Sequence, residues 1–140
     1  MLEKPQQTSF ILNNSLSELE RLHGMLERIK DEWQLTEKYM LQLNLVLDEL
    51  FTNIISYGYE TSSEEQVAVT LTNCGDLIEI IICDSGKPFD PTSAKKPKTD
   101  CSLAETPNGG LGIFLVHQYI DTIHYQRTED KNILTLTKKI

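Results

Sequence analysis

The chain has 140 residues, 39% hydrophobic and 24% charged, which suits one domain with a real core and excludes an intrinsically disordered protein. A formal net charge of −8 argues against nucleic acid as a direct partner, because phosphate binding needs clustered Lys and Arg. The opening MLEKPQQTSF lacks the apolar segment of a secretory signal, no apolar run reaches the roughly 20 residues of a membrane span, and Cys74, Cys83 and Cys101 have no paired spacing, so a cytoplasmic protein with reduced thiols is expected.

Phe10, Ile11 and Leu12 form a short strand candidate, followed by capping side chains at Asn13, Asn14 and Ser15. Leu16, Leu19, Leu22, Leu26, Ile29 and Trp33 recur at three- and four-residue steps and predict one amphipathic helix. Thr36-Glu37 marks a second helix start. Leu43, Val46, Leu47, Leu50, Phe51, Ile54 and Ile55 share one face of that helix, and Gly58 marks its end. After the polar stretch 61–65, Val67, Val69 and Leu71 alternate as in a half-buried strand. Asn73-Cys74-Gly75-Asp76 reads as a hairpin turn into a strand from Leu77 to Cys83, whose run Ile80-Ile81-Ile82-Cys83 predicts burial on both faces.

Residues 87–109 hold four of the five prolines and no apolar periodicity, and this length of loop in a small domain suggests a functional lid. A helix is predicted over Leu111 to Ile120. Strands at Thr122–Arg127 and Ile133–Lys138 follow, joined by a turn over 129–132. This order predicts an α+β two-layer sandwich, a mostly antiparallel, mixed sheet with about three helices on one face, forming a single domain over 1–140.

Chemistry concentrates in three places. Glu49 and Asn53, four positions apart, share one helix face beside the apolar stripe, with Asp48 on the other flank. A carboxylate and an amide oxygen so placed can orient a hydroxyl and hold Mg²⁺, which takes oxygen ligands; a solvated helix edge is the plainer reading. Asp84 closes an apolar strand, where a carboxylate needs a donor: an adenine amino group is one, its own backbone in a turn is another. Gly86 permits close approach. Gly109, Gly110 and Gly112 open the third helix, where free N–H groups and the positive dipole end favour phosphate; a hinge with tight packing is the alternative. His23, His117 and His124 have no metal-like spacing, and Lys95, Lys96 and Lys98 read as a solvated loop as readily as a phosphate contact.

With ELFTN at 49–53, DSGKPFDP at 84–91 and NGGLGIFLV at 108–116, in this order, the chain resembles the ATPase superfamily of DNA gyrase, histidine kinases and mismatch-repair proteins. It is most similar there to the bacterial anti-sigma factor serine/threonine kinases, over nearly its full length. The resemblance implies a Bergerat-type ATP-binding fold with ATP and Mg²⁺ as cofactors. Asn53 would ligate the Mg²⁺, Glu49 would be the general base, and Asp84 would accept from the adenine amino group above Gly86. Asn108, Gly110 and Gly112, with Gly109 and Leu111 in the same turn, would line the phosphates. Residues 91–108 would form the lid, and Thr135 would support the adenine contact. The implied partners are a sigma factor and a STAS-type anti-anti-sigma protein, with a homodimer possible, no direct nucleic acid and no membrane. The implied activity is phosphorylation of a serine or threonine on the antagonist. The lid contains no arginine, which leaves room for a non-catalytic, nucleotide-gated protein-binding module.

Overall fold

A computed structural model describes residues 6–58, 66–88, 90 and 110–140. Five strands form one sheet: β1 (Gln6–Asn13), β2 (Gln66–Asn73), β3 (Leu77–Asp84), β4 (Thr122–Thr128) and β5 (Lys131–Lys139). Their order across the sheet is β1-β2-β3-β5-β4. Every pairing among the described residues is antiparallel. Three helices, α1 (Leu19–Trp33), α2 (Glu37–Gly58) and α3 (Gly110–Tyr119), complete the α+β sandwich.

The expected first helix divides in two. Ser15 accepts from the Ser17 amide at the head of a 3₁₀ turn, Leu16–Glu18, and α1 begins only at Leu19. Leu16 is therefore exposed, while Leu22, Leu26, Ile29 and Trp33 are buried on one stripe. Gln34, at φ 53°, ends α1 in the left-handed conformation, and the Leu35 amide reaches back to the Lys30 carbonyl. Thr36 Oγ1 then accepts from the Tyr39 amide and caps α2, where the sequence placed its start.

Strand periodicity is strict throughout. Phe10 and Leu12, Val67, Val69 and Leu71, Ile78, Ile80 and Ile82, and Leu134 and Leu136 lie buried on the sheet face that packs against the helices. Leu43, Val46, Leu47 and Leu50 of α2 and Val116 of α3 fill the other side of this core. The Ile80–Cys83 run is not buried on both faces: Ile81 and Cys83 are only partly covered, alternating with buried Ile80 and Ile82. With all three helices on one side, the second face carries polar cross-strand contacts such as Gln7–Thr72 and Ser9–Thr70. These contacts extend β1 back to Gln6, well before its apolar residues.

The closing hairpin is tighter than the sequence suggests. Thr128 pairs with Lys131, so the turn is Glu129-Asp130 alone, and both residues have positive φ, 51° and 64°. That is the backbone of a type I′ turn, built without the usual Asn-Gly. Asn132 consequently belongs to β5 and not to the turn. Replacing Glu129-Asp130 by Asn-Gly should relieve the left-handed strain and stabilise the fold by about 1 kcal/mol, roughly 3 °C in melting temperature. A lower melting temperature for the Glu129→Asn, Asp130→Gly variant by circular dichroism would contradict this turn geometry.

Candidate functional site

At one end of the sandwich, α2 and the sheet part to leave a cleft with some 280 Å³ of empty space, open solvent included. Leu50, Asn53 and Ile54 of α2 form one wall. Asp84 of β3, Tyr125 of β4, and Asn132 and Leu134 of β5 form the other. Two of the predicted site residues, Asn53 and Asp84, thus meet at one cleft from elements far apart in sequence.

Asn53 does not sit on a solvated helix edge. It is 3% exposed, and its Nδ2 has no hydrogen-bond partner among the described residues. An orphaned buried amide costs about 1–3 kcal/mol unless a ligand or water meets it. The two ends of an amide exchange by a simple flip, so the same position can offer nitrogen to a phosphate oxygen or oxygen to a hard cation. The residue therefore fits the Mg²⁺–phosphate chemistry expected of it. Glu49, one turn earlier, is half-buried and accepts no hydrogen bond from the described residues. Partial burial, and then the neighbouring Asp48 charge, raise its carboxyl above the ordinary glutamate range. A carboxylate so tuned is a better base near neutral pH than an exposed one. Asp48, on the opposite flank, is paired with His23 of α1 at 2.6 Å.

Asp84 is 5% exposed. Its Oδ1 accepts from the Gly86 amide at 2.8 Å, which realises the turn-capping reading, and from Asn132 Nδ2 at 3.0 Å. Burial raises the Asp84 carboxyl above its usual range. The bonds from Asn132 and Gly86 and the nearby Arg127 charge oppose that rise without cancelling it. Gly86 is buried beside it, and its carbonyl accepts from Arg127 Nη1 at 2.7 Å.

Gly110, Leu111 and Gly112 are the first three residues of α3, as the phosphate-binding reading requires of their backbone, and α3 packs against α2. Asn108, Gly109 and the lid segment 91–108 lie outside the described residues. Thr135 is not at the cleft: it pairs with Ile81 and His124, on the sheet face away from the helices. The β5 residues that line the cleft are Asn132 and Leu134, which the sequence reading did not single out, and Tyr125 joins them from β4. Alternation counted from buried Leu134 and Leu136 would have placed Asn132 on the inner face, had the turn been read as two residues. Among the described residues no group of three or more His, Cys, Asp and Glu could hold a metal, and no helix is long and apolar enough to cross a membrane.

Comparison with known proteins identifies this arrangement. Residues 12–138 match the family model described as the histidine kinase-like ATPase domain. The chain belongs to this family. Within it, the relatives place the chain with the anti-sigma factor serine/threonine kinases. It is 30% identical over 109 residues to the serine/threonine-protein kinase BtrW of Bordetella bronchiseptica, covering 78% of this chain and 75% of that one. It is 26% identical over 102 residues to the serine-protein kinase RsbW of Bacillus cereus, covering 70% of this chain and 62% of that one. An anti-sigma F factor of Clostridium perfringens is 23% identical over 104 residues, with 74% of each chain covered. In fold, the RsbU and RsbW domains of a Mycobacterium tuberculosis protein superpose with a TM-score of 0.65 over 96% of this chain and 32% of that one, at 14% identity. Membership of the histidine kinase-like ATPase family implies ATP binding.

The raised Asp84 pKa has a consequence for stability. A carboxyl whose folded pKa exceeds its unfolded one favours folding most at low pH, and that contribution is lost as pH rises through the folded value. At pH 7 the charge opposes folding. Asp84→Asn keeps an oxygen for Gly86 and Asn132, so it should melt at or above the wild-type temperature at pH 7. A drop of several degrees would show that the charge is net stabilising.

Proposed function

We propose that this protein is a Mg²⁺-ATP-dependent serine/threonine protein kinase that phosphorylates a STAS-type anti-anti-sigma protein and, in the other arm of the switch, sequesters a sigma factor. One observation carries the nucleotide reading: Asn53, whose buried Nδ2 has no partner among the described residues, lines the same cleft as the buried carboxylate of Asp84. Family membership and the relatives named as serine kinases and an anti-sigma factor support the rest.

In this reading Asp84 accepts a hydrogen bond from the adenine amino group, with Gly86 beneath the base. Asn53 holds the Mg²⁺, which neutralises phosphate charge when bound. Backbone N–H groups from Asn108 to Gly112 receive the phosphates. Glu49 accepts the proton of the attacking hydroxyl as the phosphoryl group moves in line. The chain acts in the cytoplasm, through proteins and not promoters, and its acidity lets a newly phosphorylated antagonist leave by charge repulsion. A homodimer fits the same family pattern. A second reading, a nucleotide-gated binding module without catalysis, is favoured by the absence of arginine between residues 91 and 108.

A phosphotransfer assay with a cognate antagonist separates the two. Wild-type protein should transfer phosphate from ATP. Glu49→Gln should still bind ATP but lose roughly 10²–10⁴-fold in transfer, the usual worth of a general base. Asn53→Ala should instead lose Mg²⁺-ATP binding. Transfer at the wild-type rate by Glu49→Gln would place the base elsewhere, and ATP binding without any transfer by the wild type would favour the module.

A further inference from the structure

Asn132 stands directly opposite Asp84 in the β3–β5 register and is 5% exposed. Its Nδ2 donates to Asp84 Oδ1 at 3.0 Å and to the Lys87 carbonyl at 2.8 Å, with the Gly86 carbonyl at 3.4 Å. Its Oδ1 accepts from the Tyr125 hydroxyl at 2.5 Å. The opposite amide orientation would set an oxygen against a carboxylate and two carbonyls, and would leave the tyrosine hydroxyl facing an NH₂. The carboxylate and the two carbonyls therefore fix the end that Asn132 shows to Asp84, and the Tyr125 hydroxyl, donating to the other end, braces the amide in that position. Because the Gly86 amide also ends on Oδ1, both hydrogen bonds that Asp84 receives from the described residues fall on the same oxygen. Oδ2 receives none of them.

We infer that Tyr125 and Asn132 act as a positioning relay that saturates Asp84 Oδ1, leaves Oδ2 as the acceptor for the base, and thereby sets the base preference of the nucleotide site. This deepens the proposed reading and rests on the base meeting Asp84. A fixed lone acceptor suits the exocyclic amino group of adenine and repels the carbonyl oxygen that guanine carries at the equivalent position. Arg127, donating to the Gly86 carbonyl at 2.7 Å, ties the loop after Asp84 to the same hairpin. Without the relay, the carboxylate can turn, and either oxygen or a water can face the base. Preference should then fall, while contacts common to all nucleoside triphosphates persist. Nothing in the 84–91 or 108–116 glycine motifs encodes this pair; it depends on the two-residue turn that places Asn132 within β5.

The test is competition of Mg²⁺-ATP and Mg²⁺-GTP against a fluorescent ATP analogue on the full chain, for wild type, Tyr125→Phe, Asn132→Leu and Asp84→Asn. Tyr125→Phe and Asn132→Leu should lower ATP affinity roughly tenfold, the scale of one lost hydrogen bond to a charged group, with GTP affinity unmoved, so that the ATP:GTP preference falls equally. Equal weakening of both nucleotides would indicate a general structural role and overturn the relay. So would an unchanged preference in folded Tyr125→Phe while Asp84→Asn abolishes it, an outcome that leaves the adenine reading intact. Unchanged ATP affinity in Asp84→Asn would sink the adenine reading itself, and the relay with it. Tyr125→Phe removes one hydroxyl and decides the matter if Asn132→Leu does not fold.

Discussion

Taking the Asp84 carboxylate out of water is a demanding act in this fold, because an uncompensated buried charge is worth several kcal/mol against folding. The compensation comes from three directions: the Gly86 amide, the Asn132 amide, and the positive field of Arg127. Each imposes a constraint. The Gly86 bond turns the chain sharply as it leaves β3. The Asn132 bond requires β5 to lie beside β3 in one register, since a one-residue slip would send Asn132 to the opposite face. Arg127 requires the β4–β5 hairpin to close tightly enough to reach the Gly86 carbonyl. The left-handed backbone at Glu129 and Asp130 is the local strain that this closure entails.

The other wall is simpler. Along α2 the buried positions are Tyr39, Met40, Leu43, Val46, Leu47, Leu50 and Phe51 until Asn53 interrupts them. A buried amide without a partner in an otherwise apolar helix face is a local inconsistency of the kind that marks a binding site. Its neighbour Glu49 is only partly buried, and that burial raises its pKa. Two polar residues one helical turn apart thus differ in depth, Asn53 buried and Glu49 only partly covered.

Much of the fold was legible because its signals are periodic. The stripe from Leu22 to Trp33, the face from Leu43 to Ile54 and the alternation at Val67, Val69 and Leu71 translate directly into buried positions. What escaped was encoded by tertiary partners or by exceptions to local rules. Burial of Ile81 and Cys83 depends on whether helices cover one face or two, and an apolar run cannot report that. Asn132 was hidden because Glu129-Asp130 is not a recognised type I′ pair, which displaced the expected turn into the strand. Thr135, which the family resemblance implied as an adenine support, lies one strand position out of phase with the inner face. In the site, Glu49, Asn53 and Asp84 were legible as residue types at set spacings, whereas their depths were not.

Lys138 lies at the far end of β5 from Asn132, six residues or roughly 20 Å along the strand. Buried at 6% exposure, its Nζ donates to Gln42 of α2 at 2.7 Å and to the carbonyl of Tyr119, the last residue of α3, at 3.1 Å. The Tyr39 ring lies under the ammonium at 4.9 Å, and the Tyr39 hydroxyl donates to the Lys138 carbonyl. One side chain thereby rivets both helices to the sheet at the end remote from the cleft. The side chains that make this fastening are distinct from those that line the cleft, so the anchoring of α2 and α3 and the polarity of the cleft are set by different residues of the same strand.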